Sequence, residues 1–111
     1  MMRNFLLTYS VRGARNSIEC ERAARHVRDK IASIDNLYWS KKLEVETTFS
    51  GFIGVLGSSH QSRRQHAKRH FSQVLADCLN GIPHAHLPEL HVVALVDGLG
   101  DPIEFDVEQS R

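Results

Sequence analysis

The chain has little of what would place it outside the ordinary globular proteins. It holds two cysteines and three prolines among 111 residues, and it contains no low-complexity tract. These counts exclude a scaffold built on several disulfides, a proline-rich linker and a disordered composition. We predict a single domain spanning residues 1–111, because two separate halves would each be too small to bury a core.

Long apolar runs are missing as well. Thr8, Ser10 and Arg12 interrupt the first apolar segment well short of a signal core or a membrane span. Cys20 and Cys78 each fall on the apolar stripe of a predicted helix, where buried free thiols are expected rather than a disulfide. We therefore predict a cytoplasmic protein with no membrane partner.

The motifs that fix a reaction are also absent. No glycine-rich phosphate loop follows a strand, and neither a nucleophile elbow nor a paired-cysteine motif occurs. The run Gly98-Leu99-Gly100 is typical of a turn rather than of a nucleotide-binding loop. No cofactor is expected, no catalytic residue is assigned, and a non-enzymatic function is favoured.

The first 35 residues predict a strand followed by a helix. Asn4–Val11 is rich in Leu, Thr, Tyr and Val and has apolar residues on both faces, which favours a central strand. Asn16 followed by Glu19 resembles a helix cap. Apolar residues then recur at three- and four-residue spacing, which predicts an amphipathic helix over residues 17–33.

The middle of the chain predicts a hairpin. Apolar and polar residues alternate from Leu43 to Phe49, the period of a half-exposed strand, and Phe52–Leu56 is typical of a buried strand. We place the bend at Thr48–Gly51. One long, bulged strand fits the same pattern almost as well.

The last part of the chain predicts a second helix and two more strands. The helix begins after Ser58 or Ser59 and ends at Asn80-Gly81, and Leu90–Val96 forms the next strand. Ile103–Val107 alternates apolar and acidic residues, which is typical of an edge strand. The order is β-α-β-β-α-β with an added terminal strand. We therefore predict an α+β, ferredoxin-like fold with both helices on one face of an antiparallel sheet.

This element order resembles that of a known family. A strand of the form Phe5-Leu6-Leu7-Thr8-Tyr9-Ser10-Val11, then a helix, a hairpin, a second helix and further strand, resembles the small ferredoxin-fold nucleases of CRISPR systems and a related antitoxin endoribonuclease. In the CRISPR-associated family an aspartate at the end of the first strand is a metal ligand, whereas Ser10 or Val11 stands near that point here. The resemblance therefore implies the fold and a tendency to dimerise through sheet edges, without metal-dependent cleavage.

Charge is distributed unevenly along the chain. Residues 1–70 carry thirteen Lys and Arg against six Asp and Glu, whereas residues 71–111 carry one Arg against seven acids. If both helices lie on one side of the sheet, their basic faces form a positive surface that can contact the phosphates of DNA or RNA. The alternative is a solvated helix face, since Arg and Lys are good helix formers. The predicted nucleic-acid-binding residues are Arg22, Arg25, Arg63, Arg64, Lys68 and Arg69.

Seven histidines are present, and two of them share a helix face. His66 and His70 are four residues apart, a spacing that can chelate zinc, but Lys68 and Arg69 would repel a cation, so no metal site is predicted. A different hypothesis makes one of these histidines a general acid or base beside a phosphodiester held by arginines. That hypothesis is a metal-independent ribonuclease.

The acidic carboxy-terminal segment suggests a protein partner. An acidic edge strand at residues 103–107 can meet the basic helices of a second copy or another basic protein. Tyr38 and Trp39, if exposed, can form an aromatic anchor beside Lys41 and Lys42. The favoured interpretation is a small homodimeric interaction protein that binds nucleic acid through its helices. A protein-interaction module and a ribonuclease are the alternatives.

Overall fold

A computed structural model describes residues 2–42 and 47–109. Within these residues lie seven main elements, and two short 3-10 turns at Asp77–Leu79 and His84–His86 stand between the second helix and the fourth strand. The elements are β1 (Met2–Arg12), α1 (Ile18–Ala32), β2 (Trp39–Lys41), β3 (Thr48–Gly54), α2 (His60–Ala76), β4 (Glu89–Val96) and β5 (Ile103–Val107).

The five strands form one sheet in the order β2-β3-β1-β4-β5, and every neighbouring pair is antiparallel. The first strand lies at the centre, and the acidic terminal strand lies at an edge, as the sequence predicts. The α+β class is confirmed. The strand order and the helix–sheet arrangement are compatible with the predicted ferredoxin-like order, with the fifth strand added beyond β4.

The helix caps differ in one detail from the prediction. Ser17, rather than Asn16, precedes α1, and its side chain accepts a hydrogen bond from the backbone N–H of Cys20. Ser59 caps α2 in the same way and completes a reciprocal capping box with Ser62. Past the second helix, Gly81 adopts a positive φ of 82°, the conformation expected at a helix stop.

The predicted position of the hairpin bend is wrong. Thr48–Gly51 lies inside β3, which pairs along its length with β1 and also pairs with β2. The predicted alternation at residues 43–46 lies outside the described residues. Gly51 does not turn the chain but faces Trp39 across the β2–β3 ladder. The run that follows is not wholly buried either, because Phe52 is exposed.

The core lies on one side of the sheet only. Alternate residues of β1 are buried, and the apolar stripes of α1 and α2 pack against them in a single cluster. Both helices therefore share one face of the sheet. Within residues 2–42 and 47–109, no helix covers the opposite face, which we call the open face. Cys20 and Cys78 are buried free thiols, as predicted.

Candidate nucleic-acid interface

Two of the predicted basic residues project from the outer side of α1. Arg22 and Arg25 are exposed because the buried stripe of the helix, with Ala24 and Val27, faces the sheet. Three-residue spacing brings their side chains to one side of the helix. They line a shallow groove of about 420 Å³ at the start of α1 together with Asn16, Ser17, Ile18 and Glu21.

Two more lie on the second half of α2. Arg69 is exposed, and Lys68 is half-buried with its Nζ 5.9 Å from the centre of the Phe105 ring. Both line a groove of about 470 Å³ that also includes Asp106 and Glu108. The positive charge of Arg69 therefore lies on an outer helix face, whereas that of Lys68 is partly used against β5.

The other two predicted residues bind the protein's own backbone. The Arg64 guanidinium donates to the carbonyl oxygens of Leu99, Asp101 and Pro102, at 2.6, 2.5 and 3.3 Å, and so joins α2 to the β4–β5 turn. Arg63 donates to the carbonyl oxygen of Gly57 at 3.3 Å. Sequence cannot distinguish these residues from Arg69, since all three are basic residues on one helix.

His66 and His70, the two histidines expected to share a helix face, both contact other parts of the protein. His66 accepts the backbone N–H of Leu56 on its Nδ1, at 3.0 Å, which ties α2 to the chain after β3. The His70 ring packs against Trp39 and Phe71, and burial, reinforced by His66, lowers the pKa of His70. Neither ring lines the two basic grooves, so the ribonuclease hypothesis gains no support from their position.

Only one of the two residues of the possible aromatic anchor is exposed. Tyr38 is exposed, but Trp39 is buried, with its ring 5.3 Å from that of Phe5 and 5.4 Å from that of Phe49. Trp39 is therefore a core residue of the short strand β2. β3 and α2 cover it, so the condition for an aromatic anchor, that both residues be exposed, is not met.

A cluster that sequence reasoning missed lies on the open face. His91 is held between two carboxylates of β5, with Nδ1 2.7 Å from an Asp106 oxygen and Nε2 2.7 Å from a Glu104 oxygen. These hydrogen bonds, first that to Asp106 and then that to Glu104, raise the pKa of His91. The signal was present in the sequence, because a β4–β5 hairpin places residue 91 opposite residue 106.

The raised pKa predicts a stability difference that depends on pH. Protonated His91 stabilises the folded state fully below the unfolded-state pKa of about 6.5, and this contribution is lost as pH rises through the higher folded-state pKa. We expect wild type to exceed His91→Gln in unfolding free energy below about pH 6.5, and we expect the gap to shrink as the pH rises above that value. Urea unfolding at a series of pH values measures the difference.

A nuclear magnetic resonance titration of His91 tests the cause. Asp106→Asn is expected to lower the pKa of His91 more than Glu104→Gln does, in line with the order of their contributions. A wild-type His91 that titrates at or below its ordinary value would contradict the arrangement.

The described part of the chain shows neither a metal site nor a membrane-spanning helix. Across residues 2–42 and 47–109, no three His, Cys, Asp or Glu side chains come together as metal ligands would. Among the same residues, no helix has the length and apolar character needed to cross a membrane. Comparisons with models of protein families, with curated proteins and with solved structures give no match. The class that fold and surface define is therefore a small α+β domain with a basic helical side and an open sheet face.

Proposed function

We propose that this protein binds the phosphate backbone of DNA or RNA through the outer side of its two helices. The observation that carries the proposal is the placement of Arg22, Arg25 and Arg69. All three side chains are exposed on helices that share one side of the sheet. Among the described residues, none of the three makes a hydrogen bond or an ion pair.

Arginines without acceptors are suited to phosphate. The guanidinium group presents several donors in a planar fork that matches phosphate oxygens, and each contact releases counterions from the nucleic acid. Arg22 and Arg25 can act together because positions three apart on a helix are neighbours, about 5–6 Å between Cβ atoms. Lys68 adds a cation beside Arg69, while Arg63 and Arg64 hold α2 in place.

The distribution of charge also favours the outer side of the helices over the open face as the binding surface. The open face carries the carboxylates of Glu89, Glu104 and Asp106, which repel phosphate. These carboxylates therefore disfavour a polyanion on the open face. Such contacts reach the backbone and not the base edges, so we expect weak dependence on sequence.

Binding to labelled single- and double-stranded DNA and RNA at about 50 and 200 mM salt tests the proposal. Arg22→Gln, Arg25→Gln and Arg69→Gln combined in one variant should weaken binding to every sequence. It should also reduce the slope of log K against log salt by about 3, roughly one unit for each lost contact.

Arg12→Gln is the control for position, because it removes one arginine charge from the opposite side of the sheet and is compared with each of the three substitutions made singly. The Arg12 side chain lies on the open face, next to Glu89 on β4. Its binding should resemble that of wild type. Absence of binding at low salt, or equal binding by wild type and the triple variant, would reject the proposal.

A further inference from the structure

The open face carries an exposed apolar patch at its centre. Met2, Leu6, Phe52 and Leu95 are each 47–51% exposed, and all four project away from the helices. The other strand positions on this face that the structure describes hold mainly small polar and charged residues. We call these four residues the open-face patch.

The strand register makes the patch continuous. Leu6 of β1 lies directly opposite Leu95 of β4, and on the other side it lies opposite Ser50 of β3. Phe52 is two residues from Ser50, so it is the diagonal neighbour of Leu6, within reach of an aromatic side chain. Met2 extends the patch along β1. Soluble monomers seldom expose a contiguous patch of large apolar side chains unless it binds something.

The area of the open face is close to what a protein–protein interface needs. Five strands about 4.8 Å apart span roughly 24 Å, and seven or eight residues at about 3.3 Å each extend β3 and β4 over roughly 25 Å. The face thus offers roughly 600 Å² in projection, and more along its side chains. This approaches the approximately 800 Å² that each partner buries in a standard stable interface.

The charged residues of the open face favour a second copy of this chain as the partner over a nucleic acid. The strand residues on this face include three carboxylates: Glu104 and Asp106 are hydrogen-bonded to His91, and Glu89 lies opposite Arg12. The carboxylates disfavour a polyanion, whereas Arg12 and the hydrogen bonds of His91 reduce the repulsion between two such faces. A two-fold interface must match itself, and an apolar centre with mixed charges around it does so.

We propose that two copies of this chain associate face to face through their open faces, with Leu6, Phe52 and Leu95 at the centre of the interface. The helices then point outward from both sides of the dimer. This arrangement differs from pairing through sheet edges, for which β2 offers only three residues and β5 offers five. It rests on the open face alone and does not depend on nucleic-acid binding.

Light scattering after size exclusion, at about 100 μM protein, tests the proposal. Wild type should have twice the 12.6 kDa mass of the chain. Leu6→Lys and Leu95→Lys, prepared separately, should each have the mass of a monomer, because a buried unpaired ammonium would oppose the interface. Circular dichroism and thermal unfolding verify that each variant is folded, and either folded variant is sufficient.

Ile18→Lys is the matched control. Ile18 is a 67% exposed apolar residue on α1, on the helical side of the molecule, and its replacement should leave the dimer intact. A wild-type protein that is monomeric at this concentration overturns the proposal. So does a dimer that persists in both folded lysine variants, since its interface then lies at β5 or elsewhere.

Discussion

Gly51→Ala is expected to destabilise the fold by about 3–5 kcal/mol, a large share of the stability of a small domain. A Cβ at this position would overlap the carbonyl oxygen of Tyr38 and lie 3.0 Å from a ring carbon of Phe5. The carbonyl of Tyr38 cannot withdraw easily, because it accepts the backbone N–H of Phe52 at 2.9 Å. The methyl group must therefore force β2 away from β3 and disturb the buried Trp39.

Gly54→Ala in the same strand is the control for this substitution. Its Cβ would meet only the Met2 sulfur, at 3.6 Å, which is ordinary van der Waals contact. We expect a change within about 0.5 kcal/mol. Urea unfolding of both variants measures the difference. Equal stability of the two variants would mean that β2 does not lie against Gly51.

Gly51 also explains why the sequence predicts the hairpin bend at the wrong position. Ser50-Gly51 is a frequent turn signal, and local sequence does not distinguish a glycine that bends the chain from one that lets a backbone approach closely. The approaching strand, β2, has only three residues and therefore has almost no periodicity of its own. Its position depends on the burial of Trp39 among Phe5, Phe49 and Phe71, which is a tertiary property.

The elements with strong periodicity were predictable. The apolar stripe of α1 fixed its extent to within a residue at each end, and alternation identified β5 with Glu104 and Asp106 on its outer side. In both cases one face of the element is buried and the other is solvated, so the pattern of side chains directly records the packing. β1 differs, because it carries apolar residues on both faces and yet only alternate residues are buried.

For the proposed nucleic-acid-binding surface, the sequence predicts which residue types are present but not what each side chain contacts. Sequence identifies six basic residues on two helices but cannot show which carbonyl oxygens lie near them. Arg63 and Arg69 differ because Arg63 donates to the carbonyl oxygen of Gly57, whereas Arg69 is exposed and makes no hydrogen bond among the described residues. The open face follows from the predicted placement of both helices on one side of the sheet, but the strand register that joins Leu6, Phe52 and Leu95 on that face could not be predicted from the sequence.

Arg64→Ala is expected to lower the unfolding free energy by about 1–2 kcal/mol, the second-largest effect on stability that we predict. The loss arises because three carbonyl oxygens of the β4–β5 turn lose a charged donor together. Solvent reaches part of this site, which keeps the cost below that of a fully buried group. Chemical denaturation measures the change, with Arg69→Ala as the control at no more than about 0.5 kcal/mol.

Arg64→Lys separates charge from geometry at the same position. Lysine keeps the positive charge but lacks the planar fork that serves several carbonyl oxygens at once, so its stability should fall between those of wild type and Arg64→Ala. Nucleic-acid binding by folded Arg64→Ala should remain close to that of wild type at equal salt. If this variant instead keeps its stability and loses binding, Arg64 contacts phosphate, and the division between basic residues that hold the fold and those that bind is wrong.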